Sequence, residues 1–328
     1  MGIYRANVKI IGVGDCGNNI VSDLKAYNIP YVEIIAMNTD ATKLRIVRAD
    51  KKVLLGESIT KGFGVGANME LARKIAEQEL DKLLKLIDGA DMVFFVGGLG
   101  KGTGSGCIPV FGEAAKKAGA LSVAIVTLPS RIEGGGTKKR AEKAMQEIIE
   151  KMDAAIIVEN DRVSELYGQL PVAEAFRKTN EILARCIADL MHVMFEYSTV
   201  NLDFADVCTI LRNAGLSTMS VAEGTKKDVQ AIGRQLVNYP LISDKIVSAQ
   251  RILVHFTLGK DVAVRDLTEL QEVLYTHAEP EAEMKFGVRI DDKLEPTKIR
   301  AFAIFGGIKT EKHAPKKYSG VDLGVPKI

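Results

Sequence analysis

Met92-Val93-Phe94-Phe95-Val96 runs directly into Gly97-Gly98-Leu99-Gly100-Lys101-Gly102-Thr103-Gly104-Ser105-Gly106. Five consecutive apolar residues read as a strand buried on both faces, and the glycines that follow read as a turn opening a helix. Over residues 100–106 glycine alternates with a lysine and small hydroxyl residues. That pattern exceeds what a simple strand-to-helix turn requires. It lets backbone N–H groups approach an anion without a Cβ in the way, next to the positive end of a helix. It is not a Walker A loop, because no Gly-Lys-Ser/Thr follows a four-residue spacer.

Working outward, the same strand–turn–helix punctuation recurs. Val8-Lys9-Ile10-Ile11 leads into Gly12-Val13-Gly14-Asp15-Cys16-Gly17, a GxGxxG spacing that alone fits either a nucleotide site or a plain tight turn. A second strand, 32–37, ends at Asn38-Thr39-Asp40, and a short strand near 53–55 precedes Gly62-Phe63-Gly64-Val65-Gly66. Residues 69–87 carry the apolar period of one long helix, and 121–126 and 154–158 add further strands. The alternation predicts a mostly parallel sheet with helices on both faces, whose ligands bind at the carboxyl ends of the strands. A helical pattern free of Gly and Pro spans about 172–195. Beyond it, strands and helices crowd together as in a smaller α+β unit.

Bulk composition sets limits. With 47% hydrophobic and 26% charged residues, the 328-residue chain has apolar material for two cores. A net charge of +2 gives no bulk electrostatic case for nucleic acid or membrane surfaces. No apolar run approaches the roughly 20 residues of a membrane span, and the first residues lack a secretory core, so a cytoplasmic protein without direct membrane insertion is expected. Cys16, Cys107, Cys186 and Cys208 have no CxxC spacing, and His192, His255, His277 and His313 are dispersed, so no metal-ligand set is expected.

Residues 100–106 resemble the GGGTG(S/T)G signature of tubulin and FtsZ, with Lys101 in place of one glycine. The resemblance extends over roughly 7–308. Asn38-Thr39-Asp40-Ala41 is similar to the loop after the family's second strand, and 62–70 to its γ-phosphate loop. Asn160-Asp161-Arg162 and Asn201-Leu202-Asp203-Phe204-Ala205-Asp206 match further FtsZ motifs in order and spacing. The resemblance implies an α/β fold with a Rossmann-like GTPase domain (1–170), a long connecting helix (171–198), a smaller α+β C-terminal domain (199–310) and a flexible tail (311–328).

By position, the resemblance implies that Asp15, Cys16, Gly17, Asn18 and Asn19 line the phosphates of GTP or GDP. Gly102, Thr103 and Gly104 would cradle them from the other side, Glu133 and Arg140 would hold the ribose, and Asn180 would read the guanine edge. On residues alone, without the resemblance, Asn180 reads as an ordinary exposed helix residue rather than a base contact. Asp203 and Asp206, placed by Asn201, would orient the attacking water in a neighbouring subunit's pocket, so that head-to-tail polymerisation completes each site. Read without the family, the same acids cap a helix. Mg²⁺ would ride on phosphate oxygens and waters. The implied role is a filament for cell division at midcell. A cell-shape paralogue with weak turnover, or a scaffold that binds nucleotide without hydrolysis, stand as alternatives.

Several positions depart from the FtsZ pattern: Asp15-Cys16 replace glycines, Gly134-Gly135-Gly136-Thr137 lengthen the loop after Glu133, and Met69 stands where Pro is common. The added acid and base leave two readings open: Lys101 touches phosphate or Asp15 as a charge pair, or Lys101 points to solvent and Asp15 merely caps the helix after the loop. The tail, Asp322-Leu323-Gly324-Val325-Pro326-Lys327-Ile328, distantly resembles the peptide by which FtsZ proteins bind membrane tethers or division regulators, without the usual Phe-Leu.

Overall fold

The computed structural model describes residues 6–161, 169–196, 198–238 and 246–310. Arg162 and the 311–328 tail lie outside them. β1 (Val8–Val13) is buried along its whole length, because parallel neighbours flank it and helices cover both its faces. It pairs with β2 (Val32–Asn38) on one side and β4 (Met92–Gly98) on the other, in register Ile10↔Ile34 and Ile10↔Phe94. β3 (Lys51–Leu54), β5 (Leu121–Leu128) and β6 (Ala154–Glu159) complete a parallel set in the order β3-β2-β1-β4-β5-β6. This order reverses between β1 and β4, which makes their carboxyl ends the switch point where such sheets hold ligands.

Side chains alternate between two cores, as the two-residue period of a strand dictates. Ile10, Phe94, Val123 and Ile125 pack with Ile20 and Leu24 of helix α1 (Gly14–Leu24). Ile11, Val13, Phe95 and Val126 point the other way, onto Ala72, Ile75, Phe111 and Ile148. Those four belong to α4 (Met69–Gln78), α6 (Thr103–Lys117) and α7 (Gly135–Lys151). Two short helices, α2 (Ala41–Ile46) and α3 (Glu57–Thr60), flank β3. The single helix expected over 69–87 is instead two, α4 and α5 (Leu80–Leu86), broken at Glu79. There the Glu79 carboxylate accepts the Gly56 N–H (3.0 Å), and its own N–H is shared between the Ile75 and Ala76 carbonyls.

α8 (Val172–Phe195) is a 24-residue rod, roughly 36 Å long. Its Leu183, Ile187, Leu190 and Met191 are buried in the first core. Beyond it come α9 (Phe204–Leu211), β7 (Gly215–Thr225), α10 (Val229–Val237), β8 (Ile246–Leu258), α11 (Val264–Tyr275), β9 (Ala278–Ile290) and β10 (Lys298–Thr310). A third core forms where Leu236, Leu270 and Leu274 of α10 and α11 cover Phe256 and Phe305. β7 joins this part to the parallel set by pairing Ala154↔Gly215 through Ile156↔Ser217, so a single ten-stranded sheet results: β3-β2-β1-β4-β5-β6-β7-β10-β8-β9.

Two close backbone approaches seat α1 and α6 on β4. A Cβ at Gly17 would lie 2.0 Å from the Val96 carbonyl oxygen, and one at Gly104 would lie 2.3 Å from that of Gly98. Both neighbours are backbone in a central strand and cannot step aside. Gly17→Ala and Gly104→Ala should therefore each destabilise the fold by about 1–3 kcal/mol or more. Gly135→Ala, with open space around its Cβ position, should stay within about 0.5 kcal/mol. Thermal unfolding of the three variants checks this, and equal melting temperatures would contradict it.

Candidate functional site

A cleft of about 600 Å³ opens at the carboxyl ends of the parallel strands. The ends of five strands reach it, through Val13 and Gly14, Asn38, Gly98, Thr127 and Asn160. Helices α1 and α6 begin at its wall, and neither has a side-chain N-cap: their cap residues are Val13 and Gly102. Their first-turn N–H groups and positive dipole ends thus remain available to an anion. Gly14, at φ +73°, starts α1 in the left-handed region.

The loops around the cleft lock onto one another. The Thr39 and Thr103 hydroxyls are 2.9 Å apart, tying the turn after β2 to the start of α6. Gly64 N–H donates to the Thr39 carbonyl (3.0 Å) and Ala41 N–H to that of Gly62 (2.9 Å), so residues 61–68 fold back over the same turn. Gly102 lies against Val65, whose methyl a Cβ there would meet at 2.4 Å. Asn68 caps α4 by accepting from Leu71 N–H.

Eight of the residues singled out from sequence line this cleft: Asp15, Cys16, Asn19, Gly102, Thr103, Gly104, Glu133 and Asn180. Gly17 and Asn18 are buried behind it. Asn18 is 1% exposed, and neither its amide nitrogen nor its oxygen has a hydrogen-bond partner, an arrangement costly unless water or a ligand completes it. Arg140 is not among the residues lining the cleft. Its Nε donates to the Gly100 carbonyl (2.8 Å) and its guanidinium to the Thr137 hydroxyl (3.3 Å), so it braces the Gly-rich loop from behind. The lengthened 134–137 segment supplies that second contact.

Of the two readings open for Asp15 and Lys101, direct contact between them is not seen; each has another partner. Asp15 accepts from the Asn38 amide (2.9 Å) and lies 3.4 Å from the Lys43 ammonium. Lys101 lies 3.8 Å from Glu133. The reason is local: Lys43 sits on the first helix after β2, adjoining α1, and reaches Asp15 first. Asn38, Thr39 and Lys43 were thus missed as site residues, although Asn38-Thr39-Asp40-Ala41 had been singled out as a motif. Burial pushes the Cys16 thiol up, partly offset by its contact with the Thr127 hydroxyl at 3.5 Å. It therefore stays neutral and is no candidate nucleophile.

Asn201, Asp203 and Asp206 lie elsewhere. α9 packs by the amino ends of the same strands, where Phe204 and Arg212 share a hollow with residues 88–91, before β4, and 118–120, before β5. The seven residues of β4 put roughly 20 Å between that edge and the cleft. Asp203 and Asp206 form a reciprocal capping box, each carboxylate accepting the other's N–H at 3.0–3.1 Å. Asn201 accepts from Ser198 N–H at 3.3 Å. The capping role is thus present, and it fixes both carboxylates at the start of α9.

Uncapped helix starts, converging glycine loops and a cleft at the switch point define a nucleotide-binding α/β protein. The sequence comparisons narrow this class. Residues 7–168 match the profile described as Tubulin/FtsZ family, GTPase domain, and 215–309 match FtsZ family, C-terminal domain. Cell division protein FtsZ 2 of Methanocaldococcus jannaschii is 35% identical over 310 residues, covering 93% of this chain and 81% of that one. Cell division protein FtsZ 1 of Archaeoglobus fulgidus is 34% identical, covering 94% and 84%. An FtsZ dimer from M. jannaschii superposes with a TM-score of 0.85 at 30% identity, over 99% and 96% of the two chains. CetZ2 of Haloferax volcanii shares the fold, with a TM-score of 0.81 at 22% identity over 93% and 94%. The chain belongs to the tubulin/FtsZ family and carries its GTPase domain.

Behind the acidic loop, His255 (8% exposed) shares a hydrogen bond with the Ser198 hydroxyl at 3.1 Å. Burial, reinforced by the Arg289 cation, pushes its pKa down to about 4. In the unfolded chain it titrates near 6.5. Between those values the unfolded state binds the extra proton, so stability is lost as pH falls from about 6.5 to 4, by roughly 3 kcal/mol at most. Replacing His255 with Gln should flatten this part of a melting-temperature profile, and an unchanged slope would refute the assignment.

Proposed function

We propose that this chain binds GTP in the cleft, hydrolyses it at the junction with a second copy, and polymerises head to tail into cytoplasmic filaments that serve cell division. One observation carries the reading: the cleft and the Asp203/Asp206 loop lie at opposite ends of the parallel strands. A single chain cannot bring its own acids to its own cleft. Stacking subunits end to end can. Exposed apolar residues stand at both ends, Phe63 (86% exposed) at the lip of the cleft and Val200 (39%) beside the acidic loop.

In this reading the open N-termini of α1 and α6, with Thr103, take the phosphates, and Lys101 and Lys43 supply positive charge at the rim. Glu133 holds the ribose hydroxyls, and the Asn180 amide, offering both a donor and an acceptor, reads the guanine edge. Mg²⁺, when bound, neutralises charge on the phosphates and is held chiefly by their oxygens and waters. Asp203 and Asp206 of the next subunit orient the attacking water, with Asn201 shaping their loop. The corresponding division of the chain is a GTPase unit over 1–170, a connecting helix over 171–198 and a C-terminal unit over 199–310. Residues 311–328 would be the segment offered to membrane-tether or division-regulator proteins. No described helix is long and apolar enough to cross a membrane.

Asn180→Ala should weaken GTP by about 1–3 kcal/mol, the cost of leaving a polar edge unpaired. Wild-type protein should bind GTP well above ATP, and equal affinities would sink the guanine assignment.

Catalysis in trans gives a second expectation. Asp206→Ala should bind GTP yet turn it over poorly, and Thr103→Glu, which sets a carboxylate into the cleft, should fail at phosphate binding. Mixed, the two should regain turnover where an intact cleft meets an intact acidic loop. Two inactive variants that stay inactive together, while each still assembles with wild-type subunits, would refute a shared site.

A further inference from the structure

β9 is the outermost strand of the sheet, and the segment leading into the acidic loop lies along its free edge. Val200 and Val288 exchange backbone hydrogen bonds at 2.9 Å in both directions. Leu202 presses on Gly287, where a Cβ would lie 2.9 Å from the leucine side chain. From the same strand, the Lys285 ammonium lies 3.3 Å from Asp206 Oδ1, with Glu283 3.7 Å away on its other side. Asp206 Oδ2 is already committed to the Asp203 N–H at 3.1 Å. Both oxygens of this carboxylate therefore have a partner, one from its own loop and one from β9.

We propose that Lys285 is a positioning residue for GTP hydrolysis, holding the Asp206 carboxylate in one orientation and offsetting its charge as the loop approaches another subunit's triphosphate. The inference rests on the reading of Asp203 and Asp206 as acids acting in trans. Asp203, Asp206 and Glu283 together bring three carboxylates toward a polyanion. An ammonium at contact distance reduces that repulsion most when a second subunit has displaced water and lowered the local dielectric. In the free subunit the pair is partly solvated, Lys285 being 36% exposed, and such pairs contribute little to stability. The lysine therefore does little for the isolated fold. Its effect falls on the orientation of the water-directing group, where small displacements cost rate steeply.

The test uses the full chain with Lys285→Gln and Lys285→Arg, measuring melting temperature, GTP affinity, the concentration threshold for assembly, and turnover per polymerised subunit. The Gln variant should melt, bind GTP and assemble as the parent does, while its turnover falls roughly 10- to 100-fold. The Arg variant should recover most of that loss. Parental turnover in the Gln variant overturns the proposal. So does a Gln variant that no longer assembles, or an Arg variant as slow as Gln. Asp206→Ala is run beside them: if it hydrolyses GTP at the parental rate, the trans-acid reading itself has failed, whatever Lys285 does.

Discussion

Everything in this molecule depends on how tightly two helices are set against the end of one strand. The Val96 carbonyl admits α1 only because residue 17 has no Cβ, and the Gly98 carbonyl admits α6 only because residue 104 has none. Those approaches bring two uncapped helix N-termini to one point beyond β1 and β4. A cleft suited to anions is then a consequence of packing, since the N–H groups left over at helix starts must find partners. Cys16, beside Gly98 and Thr127, fills the same crowded junction. Chemistry and close packing use the same glycines.

Much of this was legible in the sequence. The buried runs 8–11 and 92–96 and the turns after them announced parallel strands and a site at their carboxyl ends, because strand burial and Gly-rich punctuation are local signals. The capping geometry of Asp203 and Asp206 was legible for the same reason, as two acids three residues apart at a helix start. Contacts between loops distant in sequence were not. Charge alone left an Asp15–Lys101 pair open, whereas the fold sets Lys43 and Asn38 beside Asp15. The contact of Arg140 with the Gly100 carbonyl, 40 residues earlier, was likewise not legible, although the resemblance implied a ribose role for the same residue. The break at Glu79 escaped the helical period because it comes from a side-chain contact with Gly56, 23 residues earlier.

The second constraint is the continuity of the sheet. β7 extends the parallel set and β10, β8 and β9 follow it, so the acidic loop is carried at a fixed place relative to the cleft. In the proposed reading both ends of the subunit are prepared in advance: free helix N–H groups at one end, and at the other carboxylates held by a capping box beside Lys285. If hydrolysis is completed in trans as proposed, assembly itself would be the step that completes the site, because neither half would need to reorganise when the subunits meet. Such pre-organisation would also explain why acids that cap a helix are suited to a second task. On the proposed reading, a carboxylate immobilised for structural reasons would already be immobilised for catalysis.

The dependence of GTP turnover on protein concentration tests this most directly. If each site is built from two subunits, turnover should be negligible below a threshold concentration and rise linearly above it, in step with light scattering from filaments. A rate strictly proportional to protein from the lowest concentrations upward, with no threshold and no tie to scattering, would mean that one chain holds a complete site and would contradict the account.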